Sequence, residues 1–387
     1  MLVTRLSLTD FRNYKTLDVA LGAGANLFVG SNGQGKTNLV EALGYLSTLG
    51  SHRVSTDHAM IRVGMDSAVI RARIEHDERS ILAEVQLNRS GANRAQVNRS
   101  AIRTRELPRY FSSVLFAPED IALVRGEPSG RRRFLDELLV LRSPRYAAVI
   151  ADYDRVVRQR NTLLKSARAS GMRNDRLSTL DIWDERLVGL GAQLVEGRHR
   201  LVAELRPAVT ASYLAVVGAD HSPTLTSRVS LFDTSVDEDE PAPAVTGADE
   251  APLVIAEIES AFRAALVRVR KAEIDRALTL VGPHRDDLIL GLNGMPARGY
   301  ASHGESWSFA LALKLAAAQV LREDSATGDP VLILDDLFAE LDQSRRAKLA
   351  DAIDGFDQVL ITAAVLSDVP EGLVARTVHI RAGAVVE

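Results

Sequence analysis

Gly30-Ser31-Asn32-Gly33-Gln34-Gly35-Lys36-Thr37 is the stretch on which the reading of this chain turns. Before it, Asn26-Leu27-Phe28-Val29 is a short apolar run ending at glycine, the pattern of a strand that enters a turn. After it, Leu39, Ala42, Leu43 and Leu46 recur at helical spacing between Lys36 and Leu49. Strand, glycine-rich turn and helix, in that order, form a loop whose backbone N–H groups can close around phosphate oxygens. The positive end of the helix dipole strengthens that field. In such a loop Lys36 reaches the β- and γ-phosphates and the Thr37 hydroxyl ligates Mg2+. The expected ATP-binding residues are therefore Gly30, Ser31, Asn32, Gly33, Gln34, Gly35, Lys36 and Thr37, with Asn38 directly behind them.

A second motif stands far downstream. Pro330-Val331-Leu332-Ile333-Leu334-Asp335-Asp336 reads as a buried parallel strand ending in two acids. Asp335 then lies at the carboxyl end of a strand, where α/β sheets bind ligands, and can hold Mg2+ through water. Asp336 is placed to orient or deprotonate an attacking water. A strand followed by an aspartate helix cap has the same sequence pattern; the upstream loop is what gives the acids a catalytic meaning. Lys36, Asp335 and Asp336 are the expected catalytic residues, and Thr37 and Asp335 the expected metal ligands.

Lys36 and Asp335 are 299 positions apart, so the nucleotide-binding core is split around a large insertion. Residues 1–115 and 270–387 are expected to form an α/β core with mixed sheets, and residues 116–269 a mainly helical lobe. Leu2, Thr4, Leu6 and Leu8 fall on one face of an initial strand, and residues 68–105 carry further strand patterns. Residues 131–216 read as long helices, with Pro207 starting or kinking one of them. Residues 233–252 combine Asp-Glu-Asp-Glu with Pro-Ala-Pro-Ala, the composition of a flexible acidic insertion.

Composition narrows the class. The chain has 387 residues, 46% hydrophobic and 25% charged, with a formal net charge of -4, so any phosphate-bearing partner must meet a local basic surface. It contains no cysteine, which removes disulfides, cysteine-ligated zinc and thiol catalysis. The first residues show no signal-peptide pattern, and the longest apolar candidate, Phe309 to Leu321, is broken by Lys314 and Gln319. A cytoplasmic protein without membrane contact is expected.

Tyr300-Ala301-Ser302-His303-Gly304-Glu305 opens an amphipathic helix and resembles the ABC-type ATPase signature Ser-Gly-Gly-Gln, in which serine and glycine cap the γ-phosphate of ATP on another subunit. His303 and Glu305 depart from that pattern, and Ser302 with Glu305 also fits a helix capping box. Phe338-Ala339-Glu340-Leu341-Asp342 resembles the D-loop that couples the two sites of a dimer. Val359-Leu360-Ile361-Thr362-Ala363 ends where ABC enzymes place a switch histidine; Ala363 holds that position here, with Thr362 as a substitute.

Over nearly its whole length the chain resembles the RecF family of SMC-like ATPases. The match is carried by Leu8-Thr9-Asp10-Phe11-Arg12-Asn13-Tyr14, Gly50-Ser51-His52-Arg53, Phe116-Ala117-Pro118-Glu119-Asp120, Arg131-Arg132-Arg133-Phe134-Leu135-Asp136 and Gly282-Pro283-His284-Arg285-Asp286-Asp287. The resemblance implies an ABC-type head plus a helical lobe, and an ATP-dependent homodimer with two nucleotides sandwiched between protomers. It implies binding of single- and double-stranded DNA, slow ATP hydrolysis, and work with RecO and RecR to load RecA at single-strand gaps, in a nucleoid-associated setting. Arg12 and Arg53, like the Gly282–Asp287 stretch, would lie near the nucleotide or a lobe interface, and Ser302 and Gly304 would meet nucleotide. DNA could be met by the arginine-rich strands at 71–105, or by Arg155, Arg158 and Arg160 on a helix; solvated faces remain the alternative for each arginine. Rival readings are an ABC-type subunit of a transporter or other chromosome machine, a P-loop kinase or GTPase, and a non-catalytic scaffold. The transporter has a smaller core and normally keeps the switch histidine, and no Asn-Lys-x-Asp base-specificity motif occurs.

Overall fold

The computed structural model describes the chain except residues 78, 171–177, 234–250, 324, 326–327, 374–375 and 387. All but the ends of the acidic segment expected at 233–252 therefore lie outside the described residues. The first strands are β1 (Leu2–Phe11), β2 (Tyr14–Ala20) and β3 (Gly24–Val29), followed by helix α1 (Lys36–Thr48). Next come β4 (Ser67–His76), β5 (Arg79–Asn88), β6 (Arg94–Val97), β7 (Ser100–Ile102) and β8 (Ser113–Phe116). Helices α2 (Ala122–Arg125), α3 (Pro128–Arg142), α4 (Tyr146–Ser170) and α5 (Ser178–Val217) lead to β9 (Thr224–Arg228) and α6 (Ile255–Arg276). The chain then forms β10 (Asp287–Leu292), β11 (Met295–Pro296), α7 (Ala297–Tyr300) and α8 (His303–Glu323). It closes with β12 (Val331–Leu334), α9 (Gln343–Ile353), β13 (Gln358–Ala363), β14 (Arg376–Arg381) and β15 (Ala384–Val386).

Two compact units result. The first contains Met1–Ile121, Ala208–Asp220 and His303–Glu387. It holds an antiparallel sheet, β2-β1-β4-β5-β6-β7, and a second sheet, β15-β14-β3-β13-β12-β8, in which only β15 runs antiparallel to its neighbour. One hydrophobic cluster joins both sheets to α1: Leu6, Leu8, Ile70 and Val85 from the first, Phe28, Ile333 and Leu360 from the second, and Leu39, Leu43 and Leu46 from the helix. In β1 the buried positions are Val3, Leu6, Leu8 and Phe11, so the expected single face of Leu2, Thr4, Leu6 and Leu8 is broken. A bulge between Val3 and Arg5 is the cause, because one extra residue in a period-2 strand exchanges its faces. Helix α8 is buried almost all round. Its one central charge, Lys314, is accommodated by the Leu115 carbonyl at 2.9 Å and Asp120 at 3.0 Å.

The second sheet sets up the site. Strands β14, β3, β13, β12 and β8 are parallel, so their carboxyl ends share one edge. Leu334 pairs with Ile361, and Ala363 with Val29. The residues following β3, β12 and β13 therefore emerge side by side, although they come from opposite ends of the sequence.

The second unit contains Ala122–Pro207 and His221–Ser302. It runs past the 269/270 boundary expected from sequence, because β10 pairs with β9 rather than with the strands of the first unit. Pro207 does not start a helix; α5 continues through it. Arg160, read from sequence as one of the arginines that could face DNA, is fully buried and bonds Asp184, Glu273 and Thr279 at 2.6–2.9 Å. The Gly282–Asp287 stretch is likewise tied into its own unit. Arg198 donates to the Pro283 carbonyl and to both oxygens of Asp136, Arg131 grips Asp287 with two bonds, and Tyr153 Oη pairs with His284 Nδ1 at 2.7 Å.

Among the described residues no helix is long and apolar enough to cross a membrane.

Candidate functional site

The loop between β3 and α1 is held by protein groups at nearly every step. Gly30 donates its N–H to the Ala363 carbonyl at 3.3 Å, and a Cβ there would stand 2.2 Å from the Ile380 carbonyl oxygen. Gln34 is anchored from outside: its carbonyl accepts from Asn13 Nδ2 and Gly383 N–H, and its side-chain oxygen from Ala382 N–H. Gly35 precedes α1 at φ 115°, with the Tyr14 hydroxyl on its carbonyl at 2.9 Å. That backbone region suits glycine, and a Cβ would also meet Asn13 Nδ2 at 2.7 Å. The loop is thus fixed by β2, the 382–383 turn and β13, leaving the α1 terminus without an acidic residue in its first turn. Lys36 is almost fully buried; its Nζ lies 3.4 Å from the Ser31 carbonyl and from Asn32 Oδ1.

The paired acids join this loop through hydroxyl groups. Thr37 Oγ1 donates to Asp335 Oδ1 at 3.1 Å, across 298 positions of sequence. Thr362 Oγ1 donates to the same oxygen at 2.7 Å and accepts the Asp336 N–H at 2.8 Å. Asp335 itself is fixed by its N–H on the Phe116 carbonyl. Burial, reinforced by Asp336, pushes the Asp335 carboxyl up to about 6, while the two threonine hydroxyls oppose the rise. Asp336 takes a left-handed backbone, φ 48°, and its Oδ1 is buried without a hydrogen-bond partner, 4.0 Å from Lys36 Nζ. One lysine, two hydroxyls and two acids therefore converge with the loop at one sheet edge. Hard oxygen donors of this kind suit Mg2+ rather than zinc. Among the described residues no group of three or more His, Asp or Glu is arranged as a metal cage, so an ion here would also need ligand or water oxygens.

The remaining expected residues are placed as follows. Arg12 spends its guanidinium on the buried Glu41, at 2.8 and 2.5 Å, and on the Ala59 carbonyl. Arg53 donates to Asn38 Oδ1 at 2.9 Å, and Asn38 in turn donates to Asn13, so both lie against the loop's supports. Ser302 is exposed and ends the second unit. Gly304 belongs to the first unit, in α8, where a Cβ would meet the Arg345 guanidinium at 3.1 Å. Asp342, in the expected D-loop, caps α9 by accepting the Arg345 N–H. Ala363 contributes only its backbone, while Thr362 is built into the acid pair.

His52, in the Gly50–Arg53 stretch, has no role that the sequence assigns. Its ring is half-buried, with the buried Nε2 3.9 Å from Asp335 Oδ2 and without a hydrogen-bond partner. Burial holds the imidazole below its ordinary pKa against the pull of Glu41, Glu119 and Asp120. Only the position of the Gly50–Arg53 stretch just after α1 could have marked it.

The RecF/RecN/SMC N terminal domain family matches residues 2–372 of the chain. The DNA replication and repair protein RecF of Clavibacter sepedonicus is 65% identical over 388 residues, covering 100% of this chain and 95% of that protein. The chain belongs to the RecF family. RecF of Leifsonia xyli subsp. xyli is 64% identical over 387 residues, covering both proteins completely. A solved structure described as the recombination mediator protein RecF-ATP in the RecFOR pathway superposes with a TM-score of 0.86 at 27% identity, covering 99% of this chain and 96% of that one. The RecF fold, an ABC-type ATPase head with added helices, is therefore the fold of this chain.

Proposed function

We propose that this RecF-family chain is an ATP-gated DNA-binding recombination mediator, in which nucleotide closes two copies of the chain on DNA. The observation that carries the reading is the hydrogen-bonded series Thr37–Asp335–Thr362–Asp336, which locks the loop to the acids across 298 positions of sequence. The ATP held by a solved relative at 27% identity supports the choice of nucleotide.

In this reading the triphosphate lies against the loop from Gly30 to Thr37, with Lys36 turned from its own loop onto the β- and γ-phosphates. Thr37 and Asp335 would hold Mg2+, which would supply positive charge to offset the negative charge of the phosphate oxygens. Asp336 orients or deprotonates the attacking water with the carboxylate oxygen that has no protein partner. Arg12 and Arg53 act as supports: the first fixes the α1 flank through Glu41, the second the loop flank through Asn38. Ser302 and Gly304 cap the γ-phosphate of ATP bound by the second copy, so each site is completed by its partner.

The two compact units serve as ATPase lobe and helical lobe. The closed dimer binds DNA at single-strand gaps or junctions, cooperates with RecO and RecR in loading RecA, and opens on slow hydrolysis. This takes place in the cytoplasm, on the nucleoid. The names of the relatives, DNA replication and repair proteins, support the DNA partner.

Gapped-DNA affinity measured with and without ATP tests the reading. Wild type gains at least tenfold with ATP, and the gain falls with salt as phosphate contacts are screened. Lys36→Ala shows no gain. Equal affinity of wild type with and without ATP would refute the gate. Asp336→Asn keeps the ATP-dependent gain and slows turnover at least a hundredfold; unchanged turnover would remove Asp336 from the chemistry.

A further inference from the structure

Two buried polar atoms at the acid pair have no hydrogen-bond partner in the protein: Asp336 Oδ1 and His52 Nε2. The first belongs to the expected catalytic acid. The second is unassigned, and it faces Asp335 Oδ2 at 3.9 Å. That distance is too long for a direct hydrogen bond. It does suit two acceptors that share one donor, because an oxygen about 2.8 Å from each, with bonds roughly at right angles, spans it. Asp335 Oδ1 is already saturated by the Thr37 and Thr362 hydroxyls, so Oδ2 is the oxygen left to accept a further donor.

A metal-bound water has two O–H donors and, with its oxygen committed to the metal, needs two acceptors. We infer that His52 is a positioning residue of the metal site, its Nε2 accepting one O–H of a metal-bound water whose other O–H goes to Asp335 Oδ2. This rests on the proposal above that nucleotide and a divalent ion occupy the loop. The histidine's placement is built rather than incidental. Ser51, its neighbour, donates to the buried Glu41, which Arg12 clamps from the other side. Ser51 Oγ also accepts the N–H groups of Arg53 and Val54, wrapping the 51–54 turn around one hydroxyl. The Arg12–Glu41–Ser51 set thereby fixes the backbone from which His52 projects. Its effect on the metal is indirect, through the orientation of a ligand, and removing a group that hydrogen-bonds a metal ligand typically moves metal affinity by about 10- to 100-fold.

The test measures Mn2+ affinity by electron paramagnetic resonance in the presence of a non-hydrolysable ATP analogue, with analogue affinity in metal-free buffer as the companion readout. His52→Leu fills the space without an acceptor, and His52→Gln returns an acceptor oxygen at comparable reach. The expected result is metal-free analogue affinity within twofold of wild type in both variants, Mn2+ affinity at least tenfold weaker in His52→Leu, and most of that loss recovered in His52→Gln. Mn2+ affinity within twofold of wild type in His52→Leu overturns the assignment, as does a glutamine variant as weak as the leucine one. Loss of metal-free analogue binding in both variants would make His52 a residue of the fold and also overturns it. If wild type itself binds no analogue, the nucleotide reading of the loop fails, and this inference with it.

Discussion

Thr362→Val tests the joint on which the site depends. The substitution keeps shape and volume but removes the hydroxyl that donates to Asp335 at 2.7 Å and accepts the Asp336 N–H at 2.8 Å. Thr362 is fully buried, so no solvent replaces either bond. Losing a bond to a carboxyl costs about 1–2 kcal/mol and stranding a buried N–H about 1–3 kcal/mol. Thr37 still serves Asp335, so the total expected is roughly 2–4 kcal/mol. Asp336 also loses the contact that holds its left-handed backbone, a conformation costing a non-glycine residue on the order of 1 kcal/mol. Released, it should leave its position beside Lys36. Denaturant unfolding followed by Trp307 in a Trp183→Phe background reads the first unit alone, since the chain has two tryptophans, one in each unit. Thr362→Val should lower stability by the stated amount and slow ATP turnover at least tenfold. Thr362→Ser, which keeps the hydroxyl, should lose about 1 kcal/mol and most of its turnover should survive. A valine variant within 0.5 kcal/mol of wild type (about the scatter of surface substitutions) would refute the reasoning, as would a serine variant equally damaged.

Gly35→Ala places a methyl group on Asn13 and the Tyr14 hydroxyl at a φ of 115°, so the loop should open and ATP affinity fall at least tenfold by calorimetry; unchanged affinity would show that the loop tolerates a second geometry. In the second unit, burial holds Asp286 up to about 6, so its contribution to stability is complete below its ordinary 3.8 and is lost as pH rises through about 6. Burial lowers His284 to about 4, so its contribution is present above its ordinary 6.5 and is lost as pH falls through about 4. The two slopes oppose one another in wild type; Asp286→Asn should expose the histidine term, a gain of about 3 kcal/mol between pH 4 and 6.5 read from Trp183 in a Trp307→Phe background. A flat profile in that variant would place the charge balance elsewhere.

The loop and the acids were legible because their chemistry is local: glycines where the backbone must turn, and acids at a strand end. The parallel sheet then brings distant motifs to one edge, which explains why a gap of 299 positions did not hide the pairing. Thr362 was visible only as a substitute for a missing histidine, since a threonine in a buried strand reads as ordinary β-branched core. Its hydroxyl gains meaning only from Asp335 and Asp336 on the neighbouring strand. Glu41 and Arg160 run against expectation: charged residues on helices are usually solvated, and here an ion-pair partner of opposite charge reverses that. The boundary near residue 270 moved because the β9–β10 pairing depends on non-local hydrogen bonds that leave no mark on the hydrophobic pattern of either strand.

The central claim, that the loop is half of a site completed by a second copy of the chain, is tested most directly by molecular mass in solution with saturating ATP. Wild type should shift from monomer to dimer. Lys36→Ala and Ser302→Arg should each stay monomeric, the first without bound ATP and the second with it. Mixed together, the two should form a dimer carrying one intact composite site. A wild type that remains monomeric with ATP bound, or a Ser302→Arg variant that dimerises as well as wild type, would contradict the account.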